Sequence, residues 1–171
     1  MIKNSCLIFI LIFSCSNAFA QKKMCNNQDF QITVDKYIDY KIPVITTDEF
    51  YDDWDQYIIL DAREIEEYEV SHIPGAIRVG YDNPDFSALD DIHKDKKILI
   101  YCSIGYRSEK IGKKLNDQGY SDIHNLYGSI FEWANDGYPL EDMNEETTNK
   151  VHGYNKNWSQ WIENNNIEKV Y

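Results

Sequence analysis

Cysteine is scarce in this sequence, and where it occurs removes several readings at once. Of four cysteines, Cys6 and Cys15 lie in an apolar N-terminal stretch, which leaves Cys25 and Cys102 for the rest of the chain. Two thiols so far apart make no disulfide framework. The four histidines, His72, His93, His124 and His152, are scattered singly, so the closely spaced thiols and imidazoles of structural zinc are missing as well. Positive charge is also in deficit, with 17 Lys and Arg against 29 Asp and Glu, a formal net charge of −12. Such a chain repels nucleic acid and anionic membrane surfaces, and neither is expected as a partner. Beyond the first residues no apolar run approaches the roughly 20 residues that a membrane-spanning helix requires.

What is present begins with a leader. Lys3 supplies a positive start, Cys6 to Phe13 an apolar stretch, and Ala18-Phe19-Ala20 a small-x-small site before Gln21, the three parts of a secretory signal. Residues 1–20 are therefore expected to be removed and the protein to be exported, periplasmic or extracellular. A second processing route stays open: Ile12-Phe13-Ser14-Cys15 resembles a bacterial lipoprotein box, which would make 1–14 the signal and Cys15 a lipid anchor, the one route to a membrane. Cleavage after Ala20 leaves 171 − 20 = 151 residues and takes the net charge from −12 to −13, because Lys3 is the only charge removed. That length suits one domain.

Short apolar runs then alternate with helical stretches. Strands are predicted at 42–46, 57–60, 76–79, 97–101 and 123–126. Helices are predicted from Thr47 or Asp48 to Trp54, and over 64–68, 86–93, 108–118 and 130–136, with Gly119 as a stop after the fourth. Wholly apolar strands alternating with helices imply an α/β fold with a parallel sheet covered on both faces. An N-terminal segment, 21–41, precedes the domain at 42–140, and an extension, 141–171, follows it. In that extension Trp158, Trp161 and Ile162 share one helical face, which needs a surface to dock on.

In parallel sheets, sites form where strand ends feed helix N-termini. Cys102 occupies that position, directly after the strand ending at Tyr101. The loop Cys102-Ser103-Ile104-Gly105-Tyr106-Arg107-Ser108 contains a glycine free to take positive φ, which lets backbone N–H groups turn inward as an anion nest. The following helix adds its positive end and Arg107 a full charge, and all three favour thiolate over thiol. The same donors would hold a persulfide or an oxyanion.

Several ordered motifs carry a resemblance over about Ile42 to Leu140: Asp61-Ala-Arg63 with Glu67-Tyr68, His72-Ile-Pro-Gly-Ala-Ile77, the Cys102 to Arg107 loop, Gly119-Tyr120, and Leu126-Tyr-Gly-Ser-Ile-Phe-Glu-Trp133. The chain resembles the single-domain rhodaneses. The resemblance implies a rhodanese-like five-stranded parallel sheet with helices on both faces and a sulfurtransferase activity. Cys102 would accept sulfane sulfur as a persulfide, Ser103 to Ser108 would bind substrate, and sulfur would pass to a thiol or cyanide-like acceptor. The donor would be thiosulfate or a persulfide, with no metal or organic cofactor. Ser129 departs from the pattern, which usually shows a second glycine there, and is expected to lie away from the loop. Related phosphatases of this fold place five residues between cysteine and arginine; here there are four, and the smaller ring suits one sulfur atom better than a phosphate. A rhodanese-like binding module without turnover is a third possibility, although such modules commonly lose the cysteine.

Other residues draw structural readings. His72 belongs to a turn, Asp61 and Arg63 to an internal ion pair, and Cys25 to a mobile segment with no catalytic role. Ser103 and Tyr106 are expected to border the pocket.

Overall fold

A computed structural model describes residues 23–171. The expected leader over 1–20, and the alternative ending before Cys15, lie outside the described residues. Among those residues no helix is long and apolar enough to cross a membrane.

The chain runs α1 (Gln28–Asp35), β1 (Val44–Ile45), α2 (Thr47–Asp52), β2 (Ile58–Asp61), α3 (Ile65–Val70), β3 (Ile77–Arg78), β4 (Lys97–Tyr101), α4 (Tyr106–Asp117), β5 (Asp122–Leu126), α5 (Ser129–Asn135), β6 (Lys150–His152) and β7 (Glu168–Val170). The first five strands form one sheet in the order β1-β5-β4-β2-β3, every neighbouring pair parallel. Period-two alternation along β4 shows why its sequence is apolar throughout. Leu99 and Tyr101 enter a cluster with Phe30, Phe50 and Trp133 of α1, α2 and α5. Ile98, Ile100 and Cys102 enter the opposite cluster with Ile111 and Leu115 of α4. Helices thus cover both faces, and each fully buried aliphatic or aromatic side chain contributes about 1.5–3 kcal/mol.

Local chemistry explains most boundaries. α2 is capped by Thr46, one residue before the expected caps, in a reciprocal capping box with Glu49. α4 begins at Tyr106, two residues earlier than expected, because Gly105 takes a φ of +116° and serves as its cap. Residues 86–93, predicted as helix, hold only a 3₁₀ turn at Ser87–Leu89. There Leu89 is fully buried and its carbonyl accepts the Tyr120 hydroxyl at 2.8 Å, so one anchored turn replaces a helix.

The segments flanking the sheet differ most from expectation. Cys25 is not mobile; it is 3% exposed, beside a helix, α1, that the periodicity did not suggest. The Asn26 N–H donates to Glu132 Oε1 at 2.6 Å, and Gln31 Oε1 accepts the Met24 N–H at 3.0 Å. Burial, then the Glu132 and Asp136 carboxylates, push the Cys25 thiol up, so it stays protonated and a poor nucleophile. In the C-terminal segment, where a helix is expected, a 3₁₀ turn at Ser159–Trp161 sits between β6 and β7, which pair in parallel as a separate ribbon. Trp161 stacks on Phe30 with ring centres 5.4 Å apart, and its carbonyl accepts from Asn135 Nδ2 at 2.8 Å. The tail therefore docks on α1 and α5 of its own domain.

The turn after β2 is braced by charge. Asp61 and Arg63, both inaccessible to solvent, pair at 2.6 Å, and Arg63 also donates to the Ser71 carbonyl at 2.6 Å. Arg63 lies 5.5 Å from the centre of the Tyr101 ring. His72 is structural: it stacks on Tyr68 with ring centres 3.9 Å apart.

Asp61→Ala leaves Arg63 buried and unpaired, which should cost about 3–5 kcal/mol in urea unfolding. Glu132 is 1% exposed, and burial pushes its carboxyl up to about 6 from an ordinary 4.5. A carboxyl raised in the folded state favours folding while protonated, and that favour is lost as pH rises through about 6. Glu132→Gln should therefore stabilise the protein at pH 8 relative to wild type by on the order of 1–2 kcal/mol, with the difference vanishing by pH 4. An equal difference at both pH values would remove the titration from the explanation.

Candidate functional site

Cys102 stands at the carboxyl end of the central strand β4, with β2 on one side and β5 on the other. It is 1% exposed, so every polar group of its turn must be satisfied internally. The N-terminal end of α5 does much of this. The Ile130 N–H donates to the Cys102 carbonyl at 3.2 Å and the Phe131 N–H to the Ser103 carbonyl at 3.3 Å. Ser129 Oγ accepts the N–H of Cys102 itself at 3.1 Å and donates to the Leu126 carbonyl at 3.1 Å. The expectation that Ser129 lies away from the loop is thus overturned. β5 pairs directly with β4, so the turn between β5 and α5 runs alongside the Cys102 turn. Ser129 keeps a φ of +53° in that turn, which makes it a contacting member of the site.

The sulfur receives the Gly105 N–H at 3.2 Å, and the Ser108 hydroxyl lies 3.6 Å away. Asn125, fully buried on β5, locks the turn by donating to the Gly105 carbonyl at 2.9 Å and accepting from the Ser108 hydroxyl at 2.7 Å. The Ser108 backbone N–H, in the first turn of α4, also points at the sulfur, so the positive end of the helix faces it. Burial disfavours the Cys102 thiolate, but the Arg107 charge and hydrogen bonds from Ser108 and Gly105 outweigh it and hold the thiol below its usual range.

Arg107 acts on the sulfur through space. Its two terminal nitrogens grip Glu67 at 2.6 and 2.7 Å, and one also donates to the Ser103 hydroxyl at 2.9 Å. Ser103 in turn donates to Glu67 at 3.1 Å. Planar two-point pairing of this kind fixes the guanidinium far better than a point charge could. Burial opposes the Glu67 charge, yet Arg107 outweighs it and holds the carboxyl below its ordinary value.

A pocket of about 460 Å³ opens over this arrangement. Cys102, Ser103, Ile104, Tyr106 and Arg107 line it, Gly105 contributes its N–H from the cap, and Ser108 lies beneath without lining it. Glu67, Asn125 and Ser129 were not foreseen as site residues. Asn125 carried a signal, a lone amide inside the apolar run Ile123 to Leu126; Glu67 stood within a recognised motif but had no visible partner. Among the described residues no group of His, Cys, Asp and Glu is placed to hold a metal ion.

Arg107→Ala should raise the pH at which Cys102 becomes alkylated by iodoacetamide, and Arg107→Lys should raise it less, because charge survives while the Glu67 grip is weakened. An unchanged alkylation profile for alanine would remove Arg107 as the thiolate's partner.

Known proteins share this architecture. Residues 46–136 match the family described as Rhodanese-like domain. Among curated proteins, the chain is 28% identical over 123 residues to an adenylyltransferase and sulfurtransferase of Candida albicans, covering 67% of this chain and 27% of that protein. It is 34% identical over 76 residues to a putative sulfur carrier protein of Bacillus subtilis, covering 44% and 40%, and 32% identical over 94 residues to a tRNA uridine(34) hydroxylase of Bdellovibrio bacteriovorus, covering 53% and 27%. The chain thus spans between about a quarter and two fifths of the length of these relatives. The solved thiosulfate sulfurtransferase of Pseudomonas aeruginosa superposes with a TM-score of 0.55 at 19% identity, over 78% of this chain and 26% of that one, a likeness of fold. A sheet of this order, a cysteine at the end of its central strand and a family match over more than half the chain converge on one assignment: the chain belongs to the rhodanese-like domain family.

Proposed function

We propose that this protein is an exported sulfurtransferase that moves sulfane sulfur through a Cys102 persulfide to a thiophilic acceptor. The observation that carries this reading is the Cys102 sulfur, held at 3.2 Å by the Gly105 N–H at the floor of a pocket that Cys102 lines. Thiolate is the attacking species. It takes the outer sulfur of the donor, the donor's S–S bond breaks, and the leaving group departs with the electron pair. The terminal sulfur of the resulting persulfide is anionic, and the Gly105 N–H, the start of α4 and Arg107 suit it as they suit the thiolate. A thiol or cyanide then takes that sulfur and restores Cys102. Thiosulfate or a persulfide serves as donor, and the relatives named for sulfurtransferase and sulfur-carrier roles support this class of chemistry. Export rests on the N-terminal leader, with Cys15 as the alternative lipid anchor.

Purified protein loaded with thiosulfate should gain about 32 mass units on Cys102, one sulfur atom, and release thiocyanate on addition of cyanide. Cys102→Ser should abolish both while changing stability by about 1 kcal/mol or less, a small change of atom at a turn. The same mass spectrum of protein from an exporting host should show Gln21, or an acylated Cys15, as the first residue. Hydrolysis of aryl phosphates without any thiocyanate would overturn the sulfurtransferase reading.

A further inference from the structure

Five aromatic side chains line the pocket over Cys102: Tyr37, Tyr81, Tyr106, Tyr154 and Trp158. Three of them come from outside the residues that match the family, 46–136. Tyr37 follows α1, whereas Tyr154 and Trp158 lie between β6 and β7. Trp158 meets Tyr37 edge-on, with ring centres 5.0 Å apart. The Tyr154 ring lies over the Arg107 guanidinium, 5.3 Å from ring centre to charge. Tyr154 holds a φ of +61°, uncommon for so bulky a residue, and backbone strain of this kind concentrates at ligand clamps. Its side chain is not buried by the fold, since the residue stays 51% exposed. Packing of the core therefore does not account for its position.

Size and charge indicate what such a wall receives. A volume of about 460 Å³ lies within the range of roughly 300–1,000 Å³ typical of sites for organic ligands, far more than thiosulfate fills. Glu64, Glu67 and Asp82 line the pocket against Arg107 alone, and Arg107 is already paired with Glu67. A dianion must pass this acidic lining before it meets the positive loop. Resting on the sulfurtransferase reading, we propose that Tyr37, Tyr154 and Trp158 form a specificity-determining wall that selects sulfane-sulfur donors with a ring-sized apolar body and at most one negative charge over thiosulfate. The body packs against the aromatic faces, while the sulfur end reaches Cys102. For an organic persulfide, the Cys102 thiolate attacks the terminal sulfur, the donor's S–S bond breaks, and the organic thiolate leaves with its electron pair. A new S–S bond forms on Cys102, and no external oxidant or reductant is needed.

Two donors of equal charge isolate the contribution of the body: methanethiosulfonate and benzenethiosulfonate, each with cyanide as acceptor, with thiosulfate as reference. In both thiosulfonates the sulfinate leaves with the electron pair. Wild-type kcat/KM should favour the benzene donor over the methane donor by about five- to tenfold. That ratio should fall toward one in Tyr154→Gly and in Trp158→Ala. Glycine at 154 adopts positive φ without strain, so this variant keeps the fold. A ratio near one in wild type, or one that both variants leave intact, overturns the wall. A readout free of turnover completes the test: calorimetry of Cys102→Ser should show benzenesulfinate binding at least about fivefold tighter than methanesulfinate. Tighter benzenesulfinate binding with no donor able to load Cys102 would uphold the wall and sink the sulfurtransferase reading. Loading of Cys102 by all three donors without discrimination would do the reverse and point to a protein-borne donor.

Discussion

A buried sulfur whose surroundings favour its anionic form is the constraint on which the rest of this structure depends. Cys102 sits at the end of the central strand with almost no exposure, where an unpaired polar group is costly and an unpaired charge more so. The surrounding elements answer that demand one group at a time. α5 takes the carbonyls of Cys102 and Ser103, Ser129 takes the Cys102 N–H, and Asn125 takes the Gly105 carbonyl. With these groups occupied, the Gly105 N–H is left to face the sulfur. The strand order places β5, and hence Asn125 and the α5 terminus, directly beside β4. The sheet topology is therefore also the means by which the turn is satisfied.

Buried carboxylates serve as braces in this acidic chain. Glu67 joins α3 to the loop through Arg107 and Ser103. Glu109, 1% exposed on α4, accepts the N–H groups of Asp39 and Lys41, both at 2.8 Å, and so ties the segment after α1 to the helix that begins at the site. Glu132 does the same for Asn26. Two of these three contacts hold the N-terminal segment, which explains how residues before the first strand can pack tightly with only eight residues of helix in α1. Held in this way, Tyr37 can meet Trp158 from the other end of the chain. The two flanking segments thus share one side of the pocket.

The position of Cys102, its loop and the strands beneath are legible in the chain because they depend on short-range rules. An apolar run of five residues, a glycine that can take positive φ and an arginine two residues after it, in the first turn of the next element, are all local signals. Asp61 and Arg63 could be paired on paper because only one residue separates them. Over 86–93, where a helix is expected, only a 3₁₀ turn at Ser87–Leu89 forms; its carbonyl at Leu89 is held by Tyr120, 31 residues distant in sequence, a contact no local pattern reports.

By itself, the sequence determined a parallel α/β sheet, a thiol at the end of its central strand and the composition of the loop around that thiol, since each follows from residue type and spacing along one stretch of chain. Only the tertiary structure decided which groups hold that loop. The bonds from Ser129 and Glu67 to the Cys102 to Arg107 segment cross 27 to 40 residues, and no periodicity reports on contacts at that distance. It also decided that the N-terminal segment is folded and that aromatic side chains from both flanking segments reach the pocket. Phe30 reads as an isolated apolar residue until Trp161, legible in the chain only as part of an apolar face with no named partner, supplies the ring it stacks on.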